Sequence, residues 1–211
     1  MKFSIFATIA VISAFIWFYM GMTNKKVRFD TESFWERERR ANSTRKQPLD
    51  LLPYITVPLE TLPFIESTEN ETLKGCQDQI LFLSGQKIVN LTGISNTDLK
   101  LQYGVANLNA LSDYDQNCTI LIRTLHSWSK ELCSLGLKED AIRVLEFAIA
   151  CKTDIKGSYL LLADLYTERQ EYEKIESLIE TAESLNCLMK DSIVAQLKEK
   201  SIYSSSFHTE G

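Results

Sequence analysis

The chain opens on an uninterrupted apolar run. Residues 3–22 read FSIFATIAVISAFIWFYMGM, without a single charge. A helix rises 1.5 Å per residue, so a run of this length crosses a hydrocarbon core of about 30 Å. It predicts one transmembrane helix within residues 1–24. Trp17, Phe18 and Tyr19 stand near its end, where aromatic side chains favour the headgroup interface. A cleaved leader is the competing assignment. Its apolar stretch is usually shorter and closes on a small-x-small site, and Tyr19-Met20-Gly21-Met22-Thr23 offers none. An uncleaved anchor is expected.

The pattern then becomes mixed. Residues 30–46 (DTESFWERERRANSTRK) predict a short amphipathic helix within a juxtamembrane segment, 25–47. Phe34 and Trp35 suit the headgroup level, with Arg37, Arg39 and Arg40 placed for phosphates. The alternative is a solvated helix with Glu32–Arg39 and Glu36–Arg40 as near neighbours. Prolines follow at five-residue intervals, Pro48, Pro53, Pro58 and Pro63. Proline blocks a helix interior and holds its predecessor extended, so 48–74 is expected to be an extended strap. The strap is too apolar for a free linker. It either packs along the chain's own helices, filling a groove there, or docks on another protein.

Helical periodicity dominates from 75 to 203. Ile80, Leu81, Leu83, Ile88 and Leu91 form one apolar side, with Gly93 as the stop. Thr97 is a candidate N-cap for a short helix to Tyr103, and Asp113 or Asp115 for a long one to Leu135, closed by Gly136. Helices are also expected over 138–152, 171–186 and 190–203, and 204–211 is expected to be disordered. The strongest regularity is a 34-residue period. Units starting at Ile122 and Lys156 superimpose Trp128 on Leu162, Ser129 on Ala163, Leu132 on Tyr166, Leu145 on Ile179, and Ala148 on Ala182.

This stretch, 122–188, resembles two tetratricopeptide repeats. Leu125, Trp128, Ser129, Leu132, Ala141 and Leu145 stand at the motif positions in the first unit. Tyr159, Leu162, Ala163, Tyr166 and Ile179 stand there in the second. Ile175 replaces the usual Ala, the first unit lacks the usual Tyr, and neither unit ends in Pro. The resemblance covers about a third of the chain. It implies an all-α fold of stacked helical hairpins, an α-α superhelix behind the transmembrane helix, with upstream helices and 190–203 completing the stack. It also implies a peptide-binding concave face, into which His126, Lys130, Leu160, Asp164 and Thr167 would point. The two-Lys, two-Asn cluster that clamps C-terminal carboxylates is missing. The whole chain also resembles membrane-anchored bacterial proteins with FWERE, RKxPL and YIxxPLExLPF segments, a resemblance that implies no activity.

Charge sharpens this division. Residues 25–46 carry Lys25, Lys26, Arg28, Arg37, Arg39, Arg40, Arg45 and Lys46 against four carboxylates, whereas residues 47–211 carry 14 basic and 24 acidic residues. A basic collar beside an acidic domain suits an anionic lipid surface and argues against nucleic acid. Positive residues after the span predict a cytoplasmic C-terminal side. Free cysteines agree, since five occur without a CxxC. Against it stand the Met-Lys start and N-x-S/T triplets at Asn42, Asn70, Asn90 and Asn117, which suit an exported chain.

Chemistry is sparse. The two histidines, His126 and His208, belong to no HExxH, and no phosphate loop, dinucleotide loop or nucleophile elbow occurs. No catalysis, cofactor, metal or small-molecule substrate is expected. The expectation is a membrane-tethered scaffold that binds an unidentified protein. A structural subunit of a membrane complex, and an exported envelope form, are the alternatives.

Overall fold

A computed structural model describes residues 33–206 of the chain, with side chains to Ser201. The predicted span at 3–22, with Lys25, Lys26 and Arg28, lies outside the described residues. Among those described, no helix is long and apolar enough to cross a membrane. The described chain is all-helical, and it divides into two compact blocks.

The first block combines residues up to Pro48 with Ser95–Leu108. It contains helix α1 (33–43), at whose end the Ser43 and Thr44 hydroxyls donate to the Arg40 carbonyl at 2.8 and 3.1 Å; α3, numbered by chain order, spans Asn96–Tyr103, and a 3-10 turn spans Val105–Asn107. Ser95, not Thr97, caps α3, its side chain accepting from the Asp98 N–H. The Thr97 hydroxyl instead donates to Glu38 of α1. Buried Asn107 donates to the carbonyls of Gln47 and Tyr103, both at 2.7 Å, and the Gln47 N–H returns a bond to Tyr103 at 3.0 Å. The apolar core here is small, with Ala41 and Leu99 buried.

The second block holds Leu49–Ile94 and everything from Asn109 onward. Its helices are α2 (Glu71–Ser84), α4 (Leu108–Ser134), α5 (Lys138–Ala150), α6 (Lys156–Glu168), α7 (Tyr172–Glu183) and α8 (Lys190–Ser206). Three boundaries depart from the sequence-based expectation. Helix α2 starts early because Asn70 caps it, accepting from the Leu73 N–H at 2.9 Å. It also stops at Ser84, where the Gly85 N–H turns back to Phe82 and Leu83, so Leu81 is exposed and Gly93 lies in a later turn. Helix α4 begins at Leu108 because the 3-10 turn feeds straight into it. Asp115 does not cap it but accepts the Leu91 N–H at 2.9 Å.

From α4 onward the chain repeats itself in geometry. The N–H groups of Leu135, Gly136 and Leu137 turn back to Glu131, Cys133 and Leu132 at 3.1, 3.0 and 2.9 Å. Thirty-four residues later, Arg169, Gln170 and Glu171 turn back to Leu165, Thr167 and Tyr166 at 3.2, 3.0 and 2.9 Å. Each turn passes through one left-handed residue, Gly136 at φ 77° and Gln170 at φ 60°. That conformation closes a helix by satisfying its last carbonyls, and it is cheap only for glycine. Four of the five pairs set by the period share burial, Trp128 with Leu162, Ser129 with Ala163, Leu132 with Tyr166, and Ala148 with Ala182, whereas Leu145 is buried and its counterpart Ile179 is half-buried. Helix α5 packs on α6, α6 on α7 and α8, and α7 on α8. Helix α8 buries Ile193 and Leu197, and turns Asp191, Lys198 and Glu199 to solvent.

The strap packs on its own block. Leu52, Val57 and Leu62 are buried, and the Phe64 ring lies 5.2 Å from that of Trp128. Gln77 of α2 holds the Ile65 backbone from both sides, accepting its N–H at 2.9 Å and donating to its carbonyl at 3.0 Å. The Ile55 N–H reaches the Ile88 carbonyl at 2.9 Å. Tyr54 meets Tyr114 edge-on, with the Lys87 ammonium over both rings. The prolines keep the strap out of a helix, and short turns within it take part of its backbone groups: the N–H groups of Leu52, Thr61 and Phe64 bond to the carbonyls of Leu49, Pro58 and Leu62 at 3.2, 3.1 and 2.9 Å.

Candidate functional site

The candidate groove residues stand on α4 and α6, and the structure joins them unevenly. His126 is half-buried on α4, with its Nδ1 3.1 Å from the hydroxyl of Ser158 on α6. The contact needs Gly157. A Cβ there would sit 2.9 Å from the imidazole Cε1. Burial first, and the Lys130 charge second, hold the His126 pKa below that of an ordinary imidazole. Lys130 itself is exposed one turn further along α4. On α6, Leu160 is half-buried against the core, Asp164 is exposed and pairs with Lys200 of α8, and the Thr167 hydroxyl is spent on its own helix, donating to Ala163 at 2.8 Å. The face is thus a seam, joined from α4 to α6 by His126–Ser158 and from α6 to α8 by Asp164–Lys200. Gly157, Ser158 and Lys200 belong to it and were not foreseen. A glycine at the second position of a helix was the available signal.

The seam does not have the make-up of a catalytic pair. Ser158 is fully buried, which leaves its hydroxyl no path to a substrate. Burial pushes the thiols of Cys118 and Cys151 up to about 12, and those of Cys76 and Cys133 upward, so all four stay protonated near neutrality. The strap's contacts run to α2, to Ile88 and to the Trp128 side of α4, and those of His126 run to α6.

The basic collar is split by the fold. Arg37 forms an ion pair with Asp98 of α3, and beside it Glu38 takes Lys100 at 2.9 Å. Hydrogen bonds from Thr97 first and Lys100 second lower the Glu38 pKa. Arg37 is therefore a structural residue of its block as well as a surface charge. Arg39 and Arg40 remain exposed, Arg39 Nε lying 3.4 Å from the Trp35 carbonyl oxygen. Phe34 and Trp35 are 51% and 58% exposed. Asp98, Thr97 and Lys100 lie about sixty residues away in sequence, and no local pattern marked them.

Other apolar side chains reach solvent on the second block. Leu81 and Phe82 do so on α2, and Leu188 and Met189 on the α7–α8 loop, which borders an open depression of about 760 Å³ with Gly93 and Asp154. No protein-family model, curated protein or solved structure matches the chain.

Proposed function

We propose that this chain is a single-pass, membrane-tethered interaction module without catalytic activity, whose tetratricopeptide-like helical block binds a peptide segment of another protein. One observation carries this reading: the α4–α5 and α6–α7 connections repeat the same turn, with a left-handed residue at the same place and most of the paired positions buried, at a 34-residue interval. Stacked hairpins of that period present a continuous face built from first helices, which here are α4 and α6. The run at residues 3–22 supplies the tether, and the basic segment after it favours a cytoplasmic module. Tethering raises the effective concentration of whatever the module binds.

The test is proximity capture of partners by the full chain in its membrane, comparing wild type with Lys130→Glu and Leu160→Asp. Lys130 is exposed and Leu160 is half-buried, and the circular dichroism of each variant checks that the fold survives the change. Loss of the same proteins in both variants supports the groove. Capture that is unchanged in both refutes it. A second reading, a structural subunit of a membrane complex, is favoured by the exposed Leu81, Phe82, Leu188 and Met189 away from the seam. Exchanging residues 3–22 for an unrelated apolar helix separates the two: a scaffold keeps its partners, and a subunit held by its span loses them.

A further inference from the structure

The exposed edge of α1 has a composition that water does not explain. Phe34 and Trp35 lie side by side, ring centroids 5.5 Å apart at an interplanar angle of 76°, and each exposes about half its surface. Arg39 leans back on the Trp35 carbonyl, and neither Arg39 nor Arg40 forms an ion pair with a described carboxylate. Of the helix's other charged residues, Arg37 and Glu38 bind α3 and Glu36 is exposed, while Ala41 is buried. The fold therefore separates an anchoring pair from an exposed set of two aromatic rings and two guanidinium groups, with Glu36 as the one exposed carboxylate among them.

Three further facts narrow the ligand. Among described residues, this block carries six basic against three acidic side chains, while the other carries thirteen against twenty-two. An anionic surface attracts the first and repels the second. The uncharged run ends at Met22, twelve residues before Phe34, and that length of chain reaches at most roughly 40 Å. Amphipathic aromatic rings beside arginines match the headgroup layer, where the rings enter the acyl boundary and the guanidinium groups take phosphates.

We propose that α1 docks on the anionic lipid leaflet around the tether, with Phe34 and Trp35 in the headgroup layer and Arg39 and Arg40 on lipid phosphates. The α3 contacts hold the helix as one edge. This rests on the tethered reading above and adds the lipid class that the edge selects.

The experiment uses the full chain reconstituted in vesicles whose acyl chains are brominated near the headgroup, either pure phosphatidylcholine or with phosphatidylglycerol added. Subtracting the emission of Trp35→Phe isolates Trp35 from Trp17 and Trp128. Trp35 should be quenched in the anionic vesicles and recover in neutral ones. Arg39→Glu and Arg40→Glu should each weaken docking about fivefold, with unchanged circular dichroism. An unquenched Trp35 in anionic vesicles, equal quenching in both lipids, or a signal that answers to added soluble protein instead of lipid charge would overturn it. Resistance to alkaline extraction reads the tether independently. A chain that resists extraction but leaves Trp35 unquenched sinks this inference alone, and one that is extracted sinks the tethered reading.

Discussion

The two blocks are held together by opposite means. The block of α1 and α3 relies on polar contacts: Glu38 with Thr97 and Lys100, Arg37 with Asp98, and Asn107 with two carbonyls. The block from α4 to α8, with the strap and α2, is organised around Trp128, Leu125, Leu132, Leu145, Tyr159 and Leu162, all buried. Apolar burial stabilises by roughly 1.5–3 kcal/mol per large side chain and is insensitive to salt, whereas exposed ion pairs contribute about 0–1 kcal/mol and are screened. The small polar block should therefore open locally at lower free energy than the other. A region meant to answer to a charged surface is suited to that balance, and a scaffold is suited to the other.

The sharpest way to break the comparison is Trp128→Ala. It empties the centre of the apolar block beneath Phe64 and should cost about 3–5 kcal/mol in a urea titration of the full chain in detergent. A loss of less than about 1 kcal/mol would mean that the strap and α4 are not the core. Next is Asn107→Ala, which removes the side-chain donor from the Gln47 and Tyr103 carbonyls and leaves Tyr103 only the Gln47 N–H. It should lose about 1–3 kcal/mol, seen as faster amide exchange in α1 and α3 with α5–α7 unchanged. Faster exchange in both blocks would show one cooperative unit.

The repeated turn makes a paired prediction of opposite sign. Gly136→Ala should destabilise by about 1 kcal/mol, and Gln170→Gly should stabilise by up to about 1 kcal/mol, because both positions are left-handed. Equal signs in thermal melts would refute the shared geometry. His126 adds a pH dependence. Its folded pKa is lowered, so below about 6.5 the unfolded chain binds the extra proton, and stability falls as pH falls. Above that value both states are neutral and the slope vanishes. His126→Gln should flatten the acid limb below about pH 6.5 without moving the neutral midpoint greatly. The smallest expected effect is Arg37→Ala. Its pair is about half-exposed, so the loss should be about 0–1 kcal/mol and should shrink with added salt.

Much of the fold was legible because it is local. Period-3.6 patterning placed α5, α7 and α8 within a few residues, and glycine marked the turn at 136. The partner turn at Gln170 was not legible, since glutamine does not advertise a left-handed conformation. The caps were misplaced where two polar candidates stood close together. Ser95 and Thr97 compete at α3, and only the presence of Glu38 draws the threonine away. A motif register points to His126 and Asp164, whereas their partners Ser158 and Lys200 stand on other helices.

The amino-acid sequence by itself determined an all-helical chain, the 34-residue spacing of its later helices, the proline-held strap, and the division into basic and acidic parts. These follow from side-chain periodicity, backbone restriction and charge count, which act over a few residues or require no geometry. Only the tertiary structure decided that the strap lies on Trp128, that Arg37 is tied to Asp98 while Arg39 and Arg40 stay exposed, and that His126 closes against Gly157 and Ser158. Those contacts join residues some thirty to sixty positions apart. Which partner a side chain finds at that range is set by how whole helices pack, because one apolar or charged residue fits many partners and packing leaves it one.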